Sequence, residues 1–118
     1  KDTTHKMKDM NQIPKGSKVY ISIPITGIPN NLVEEQVSEV KEWLDSRECV
    51  SLNPLDIPDG PDWHYFMKES VKLLADADII YMMPGWGNSK GCSLERYLAM
   101  RLNISVVYYE MVNEYDGN

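Results

Sequence analysis

The sequence predicts a three-layer α/β domain built on a doubly wound parallel sheet. Three observations carry that expectation. Short runs rich in Val, Ile and Tyr alternate with segments of helical apolar spacing. One run, Asp78 to Met83, is apolar almost throughout, as suits a strand covered on both faces. Turn-forming residues also follow the strands, at Pro24, Asn53 with Pro54, and Pro84.

Taken in order, Lys18 to Ile23 reads as the first strand, closed by Pro24 and Gly27. Beyond Pro29, Asn30 or Asn31 is expected to cap a helix whose buried stripe is Val33, Val37, Val40 and Leu44. Cys49 to Leu52 is a short strand, followed by loop as far as Pro61. A second helix starts near Asp62 and carries Trp63, Phe66, Met67, Val71 and Leu74 on one face, with Ser70 among them. Asp78 to Met83 is the third strand, and Gly85 to Gly91 a glycine-bearing loop. A third helix then begins at Gly91 or Cys92 and ends near Leu102, before a last strand from Ser105 to Tyr109. Right-handed crossovers arrange such a chain in the strand order 2-1-3-4, a Rossmann or flavodoxin-like sheet. The polar, Lys-rich segment Lys1 to Gly16, which includes His5, reads as a mobile or loosely docked leader; the expected boundaries are residues 1–17 for the leader and 18–118 for the domain.

Composition narrows the function. The chain has 118 residues, 42% of them hydrophobic, enough for one core. A net charge of -6 supplies no basic stripe for a nucleic acid polymer. No apolar run approaches the roughly 18 residues of a membrane span, and nothing resembles a signal peptide, so a cytoplasmic location is expected. Cys49 and Cys92 lie far apart with no His cluster, which supports neither a disulfide framework nor a zinc site, and both read as small packing residues.

In an open parallel sheet, ligands bind beyond the carboxyl ends of the strands, where the strand order reverses. That places the working surface between Pro24–Pro29 and Pro84–Gly91, with Ile25, Thr26 and Gly27 on the first loop and Trp86, Gly87, Asn88, Ser89, Lys90 and Gly91 on the second. The second loop enters a helix whose first amides are free, an anion site in outline, to which Ser89 and Lys90 add a hydroxyl and a positive charge. A tight turn in which Ser89 or Asn88 merely caps the helix explains the same residues. Neither a Walker A loop nor GxGxxG can be made from these glycines. Trp86 reads either as a stacking platform for a nucleobase or as loop packing. Glu95 shares a helix face with Cys92, Leu98, Ala99 and Leu102, and partial desolvation there would raise its pKa and suit it to act as nucleophile or acid. The bland alternative is a first-turn Glu that complements the helix dipole. Tyr20 and Ser22 alternate with apolar neighbours on the first strand, and the Tyr20 hydroxyl is placed either toward the crevice or in the core. Asp78, at the opposite end of the sheet, reads as structural.

Tyr-Ile-Ser-Ile-Pro-Ile-Thr-Gly from Tyr20 and Pro-Gly-Trp-Gly-Asn-Ser-Lys-Gly-Cys-Ser-Leu-Glu from Pro84 resemble the two signatures of a bacterial and phage branch of the nucleoside 2-deoxyribosyltransferase-like proteins, over roughly Lys18 to Tyr109, a branch whose distant relatives are the transferases and N-glycosidases. The resemblance implies a nucleoside 2-deoxyribosyltransferase or a 2'-deoxynucleoside 5'-monophosphate N-glycosidase, working without metal or organic cofactor. Glu95 would be the nucleophile on the anomeric carbon, Tyr20 would orient it, and Ser89 would match a serine that holds a 5'-phosphate. It further implies a small-molecule nucleoside or nucleotide as substrate and a homodimer or larger homo-oligomer. Two departures stand out. Ser70 occupies the place of a family Asp that serves the leaving base, and Ile23 and Pro24 replace a glycine and a serine. A serine cannot replace a carboxyl's general acid-base assistance, typically worth 10² to 10⁴ in rate. The rival expectations are a nucleotide-binding module without turnover, motivated by Ser70, and a protein-interaction domain drawing on Tyr108, Tyr109 and Tyr115.

Overall fold

The computed structural model describes residues 13–109. Four strands and three longer helices alternate: β1 (Lys18–Ser22), α1 (Asn30–Ser46), β2 (Val50–Leu52), α2 (Trp63–Ala75), β3 (Ile79–Met82), α3 (Lys90–Arg101) and β4 (Ser105–Tyr108). The sheet is parallel throughout, in the order β2-β1-β3-β4, as the sequence predicts. Tyr20 lies beside Leu52 on one side and Ile80 on the other, and Ser22 beside Met82. Among the described residues, no helix is long and apolar enough to cross a membrane.

Because successive strand side chains point to opposite faces, the central strands divide their residues between two cores. Val19, Ile21, Ile79 and Tyr81 face α1, which buries Val33, Val37, Val40 and Leu44 against them. Tyr20, Ile80 and Met82 face the other layer, where Leu74 of α2 and Cys92 and Ala99 of α3 close over them. That second layer forms the site.

Several local expectations are corrected. Neither Asn30 nor Asn31 caps α1. Pro29 holds the N-cap position with no side-chain bond, and its carbonyl accepts from Leu32 and Val33. Pro29 suits the start of a helix because it is fixed at φ -56 and its carbonyl remains free to accept. Glu95 is not a first-turn residue, since α3 begins at Lys90 and has no acidic side chain in its first turn. Leu102 is 54% exposed, because the helix ends at Arg101 and the chain leaves through Asn103 at φ 62. The end of the leader is docked: Ile13 is fully buried in the α1 core, its carbonyl accepts from Arg47, and Gly16 donates to the Glu48 carbonyl. The apolar Ile13 side chain gains by leaving water, which ties down this part of the arm. His5, the rest of the leader and Tyr115 lie outside the described residues. Asp78 closes the amino edge of the sheet, its carboxylate accepting from the Lys18 amide at 2.9 Å and its own amide donating to the Lys18 carbonyl.

Candidate active site

Parallel strands deliver every strand-to-helix loop to one edge of the sheet, and the candidate site lies along it. Tyr20 and Ser22, two residues apart on β1, present their side chains to the α2 and α3 layer. Glu95, one turn after Cys92 on α3, meets them there. The Tyr20 phenol donates to Glu95 Oε2 at 2.8 Å, and the Ser22 hydroxyl donates to Glu95 Oε1 at 2.7 Å. Glu95 is 4% exposed, while Tyr20 and Ser22 are fully buried.

A carboxylate taken out of water needs compensating donors. Burial pushes the Glu95 carboxyl above its ordinary value, and the hydrogen bonds from Ser22 and Tyr20 act against that rise by favouring the charged form. Tyr20 is pushed well above the ordinary phenol value, first by burial and then by the Glu95 charge, so it stays protonated and remains a donor. The Cys92 thiol is raised chiefly by its own burial, partly offset by the hydroxyls of Ser22 and Ser89.

Glu95 and Tyr20 border a cleft of about 510 Å³, within the roughly 300 to 1,000 Å³ usual for small-molecule sites. Ile25 and Thr26 belong to its β1 wall, and Ser89, Gly91 and Cys92 to its α3 wall. A third wall, absent from the sequence reading, comes from the segment after β2 and the start of α2: Leu55, Ile57, Asp59, Gly60, Trp63, Phe66 and Met67. The clue was available, since Asn53 to Pro61 follows a parallel strand and must emerge at the same edge as the other two loops. Asp62 fixes this wall by capping α2, accepting from the Tyr65 amide at 2.9 Å.

Gly91 lets the two helices approach, because a Cβ there would stand 3.2 Å from the Met67 sulfur. Lys90 does not line the cleft. Its Nζ lies 4.5 Å over the Trp63 ring and joins the amino ends of α2 and α3. Ser89 does line it, and its hydroxyl accepts from the Cys92 amide at 3.2 Å as the α3 cap. Capping and cleft lining therefore coexist in one residue.

Five other expected contacts are relocated. Gly27, Gly87 and Asn88 lie off the cleft, and Ser22 stands behind Glu95, where it meets the carboxylate and no cleft surface. Trp86 is packing and not a platform at the cleft. After Gly85, at φ 86, residues Trp86–Asn88 form a single 3₁₀ turn. The indole lies against the Tyr108 ring at 5.6 Å and beneath the Arg96 guanidinium at 4.9 Å. Arg96 also donates to the Tyr108 hydroxyl at 2.7 Å. Ser70 is fully buried and does not line the cleft; its hydroxyl makes no close hydrogen bond among the described residues, and it opposes part of the rise at the Tyr20 phenol.

The carboxylates that do line the cleft besides Glu95 are Glu34, Asp59 and Asp62, each on a different wall or loop from Glu95. Among the described residues no group of three or more His, Cys, Asp or Glu side chains is arranged to hold a metal ion.

Comparison with curated proteins gives no match. Residues 17–108, which contain the four strands and three long helices of the described residues, match the family described as a domain of unknown function, DUF4406, and the chain belongs to that family.

Proposed function

We propose that this domain is an N-glycosidase of nucleosides or nucleotides, or a deoxyribosyltransferase of the same chemistry, with Glu95 as nucleophile. The supporting observation is the clamped carboxylate at the cleft edge, with one donor on each oxygen. In the first step a Glu95 oxygen attacks the anomeric carbon and the bond to the base nitrogen breaks. The bonding pair leaves with the base, which takes up a proton. In the second step water, or the nitrogen of another base, attacks the same carbon and gives up a proton to solvent, while the carbon–oxygen bond to Glu95 breaks and its pair returns to the carboxylate. This is covalent catalysis by a carboxylate. Ser70 does not line the cleft, so the proton taken up by the leaving base comes from solvent. The reading needs no cofactor, and we propose a cytoplasmic location with it.

The anion subsite would be the amino end of α3, where Ser89 and Gly91 line the cleft. Exposed Leu94, Tyr97 and Met100 on the outward side of α3 support a homo-oligomer, which gel filtration would reveal. A second reading, binding without turnover, is favoured by the buried Ser70 hydroxyl where a carboxyl would serve the leaving base.

The test is chromatography of free nucleobase after incubation with ribo- and deoxyribonucleosides and their 5'-monophosphates. Wild type is expected to release base and Glu95→Ala to release none. Silence across the panel from protein that binds a nucleotide would leave the binding reading in place.

A further inference from the structure

Ser22 is a small polar residue in a strand otherwise made of Lys18, Val19, Tyr20 and Ile21. It is fully buried, where an apolar side chain would be the simpler occupant. Its backbone is fixed against β3: Ser22 lies beside Met82, and its carbonyl accepts from the Met83 amide at 2.9 Å. With the main chain held, the hydroxyl has only its own rotamer to choose, and it is spent on Glu95 Oε1 at 2.7 Å. Tyr20 reaches the other oxygen from two residues earlier on the same strand face.

We propose that Ser22 is a positioning residue for Glu95: its hydroxyl holds one carboxylate oxygen while the Tyr20 phenol holds the other, so that the group meets the cleft in a single orientation. The inference deepens the glycosidase reading and rests on it for the catalytic consequence. One donor alone would leave the carboxyl group free to turn about its terminal bond. Two donors rooted in one strand fix its plane, and a displacement of the reacting atom as small as about 1 Å can cost on the order of 100-fold in rate. The same two bonds stabilise the charged form in a buried place.

Burial raises the pKa of the Glu95 carboxyl, and the two clamp bonds are what oppose it. Tyr20 comes from β1 and Cys92 from the preceding turn of α3, and both are held in their neutral forms by burial. From α2 and its cap, the cleft receives Asp62 as a titratable group beside Trp63, Phe66 and Met67; Glu34 of α1 and Asp59 complete the charged lining.

The test combines two readouts on Ser22→Ala, Ser22→Cys and Ser22→Thr. One is the titration of the Glu95 carboxyl in the ligand-free protein, followed by carbon NMR of labelled glutamate and assigned with Glu95→Gln. The other is the pH profile of base release. Ser22→Ala is expected to move the Glu95 titration upward and the acid limb of the profile with it, lowering the rate on that limb about 10-fold or more, as loss of a hydrogen bond to a charged group implies. Ser22→Thr, which keeps the hydroxyl, should restore both. If Ser22→Ala does not fold, Ser22→Cys, with a weaker donor of similar size, should shift the titration in the same direction. A lower melting temperature with an unmoved Glu95 titration would overturn the proposal and reduce Ser22 to a packing residue. If wild type releases no base from any substrate, the glycosidase reading fails, while the titration still decides the role of Ser22.

Discussion

The Tyr20 phenol and the Glu95 carboxylate meet at 2.8 Å across 75 positions of sequence, joining the central strand to the helix that leaves the neighbouring one. The bond ties β1 to α3 inside the core and, at the same point, sets the edge of the cleft. Tyr20→Phe keeps the ring and removes this single donor. Urea unfolding at neutral pH is expected to show a loss of about 1.5 to 3 kcal/mol, the range for hydrogen bonds to charged groups. An unchanged midpoint would mean that the phenol contributes nothing to holding the carboxylate.

Glu95 also gives stability a particular dependence on pH. Burial raises its folded pKa above the ordinary value of 4.5. Between those two values the folded protein keeps a proton that the unfolded chain has released. The stabilisation from this group is therefore full below the ordinary value and is lost as pH rises through the folded one. Glu95→Gln has no such dependence. The stability of Glu95→Gln relative to wild type should thus rise with pH across that window and level off above it, measured by denaturant titrations at stepped pH. A difference that stays flat would show that the carboxyl titrates alike in both states.

Trp86 and Arg96 form a packing unit with Tyr108 away from the cleft. Arg96→Ala removes its cation-π contacts with Trp86 and Tyr108 and a hydrogen bond, together worth about 1 to 2 kcal/mol. Thermal unfolding should register that loss, whereas nucleoside or nucleotide affinity should stay within about 2-fold of wild type, a change below roughly 0.4 kcal/mol. A large affinity loss with unchanged stability would return Trp86 and its neighbours to the binding surface.

Gly60 lies in the third wall of the cleft, and a Cβ at that position would run into the Tyr65 ring. Gly60→Ala must displace either the ring or the loop, at about 1 to 3 kcal/mol for overpacking. Ligand affinity should fall together with stability, since the same loop forms the wall. Full affinity in a destabilised variant would separate this loop from the ligand.

The layer order and the strand positions were legible because they rest on local patterns. Apolar runs such as Ile79 to Met82, helical stripes such as Val33 to Leu44, and the turn residues between them survive reading one segment at a time. The parallel order β2-β1-β3-β4 follows from their alternation and the handedness of crossovers. Glu95 and Tyr20 were legible as candidates for the same reason, each being a polar group set on an apolar face.

What the tertiary structure decided is which side chains share a space. Ser22, a candidate for ligand contact on the strand pattern, faces Glu95 because β1 and α3 pack in one register. Trp86 turns to Tyr108 and Arg96 once Gly85 redirects the loop. The wall from Leu55 to Met67 exists only when the segment after β2 folds over the carboxyl edge. Periodicity reports the face of one element, whereas burial, hydrogen-bond pairing and cleft shape depend on distances between elements far apart in the chain, which a one-dimensional pattern does not contain.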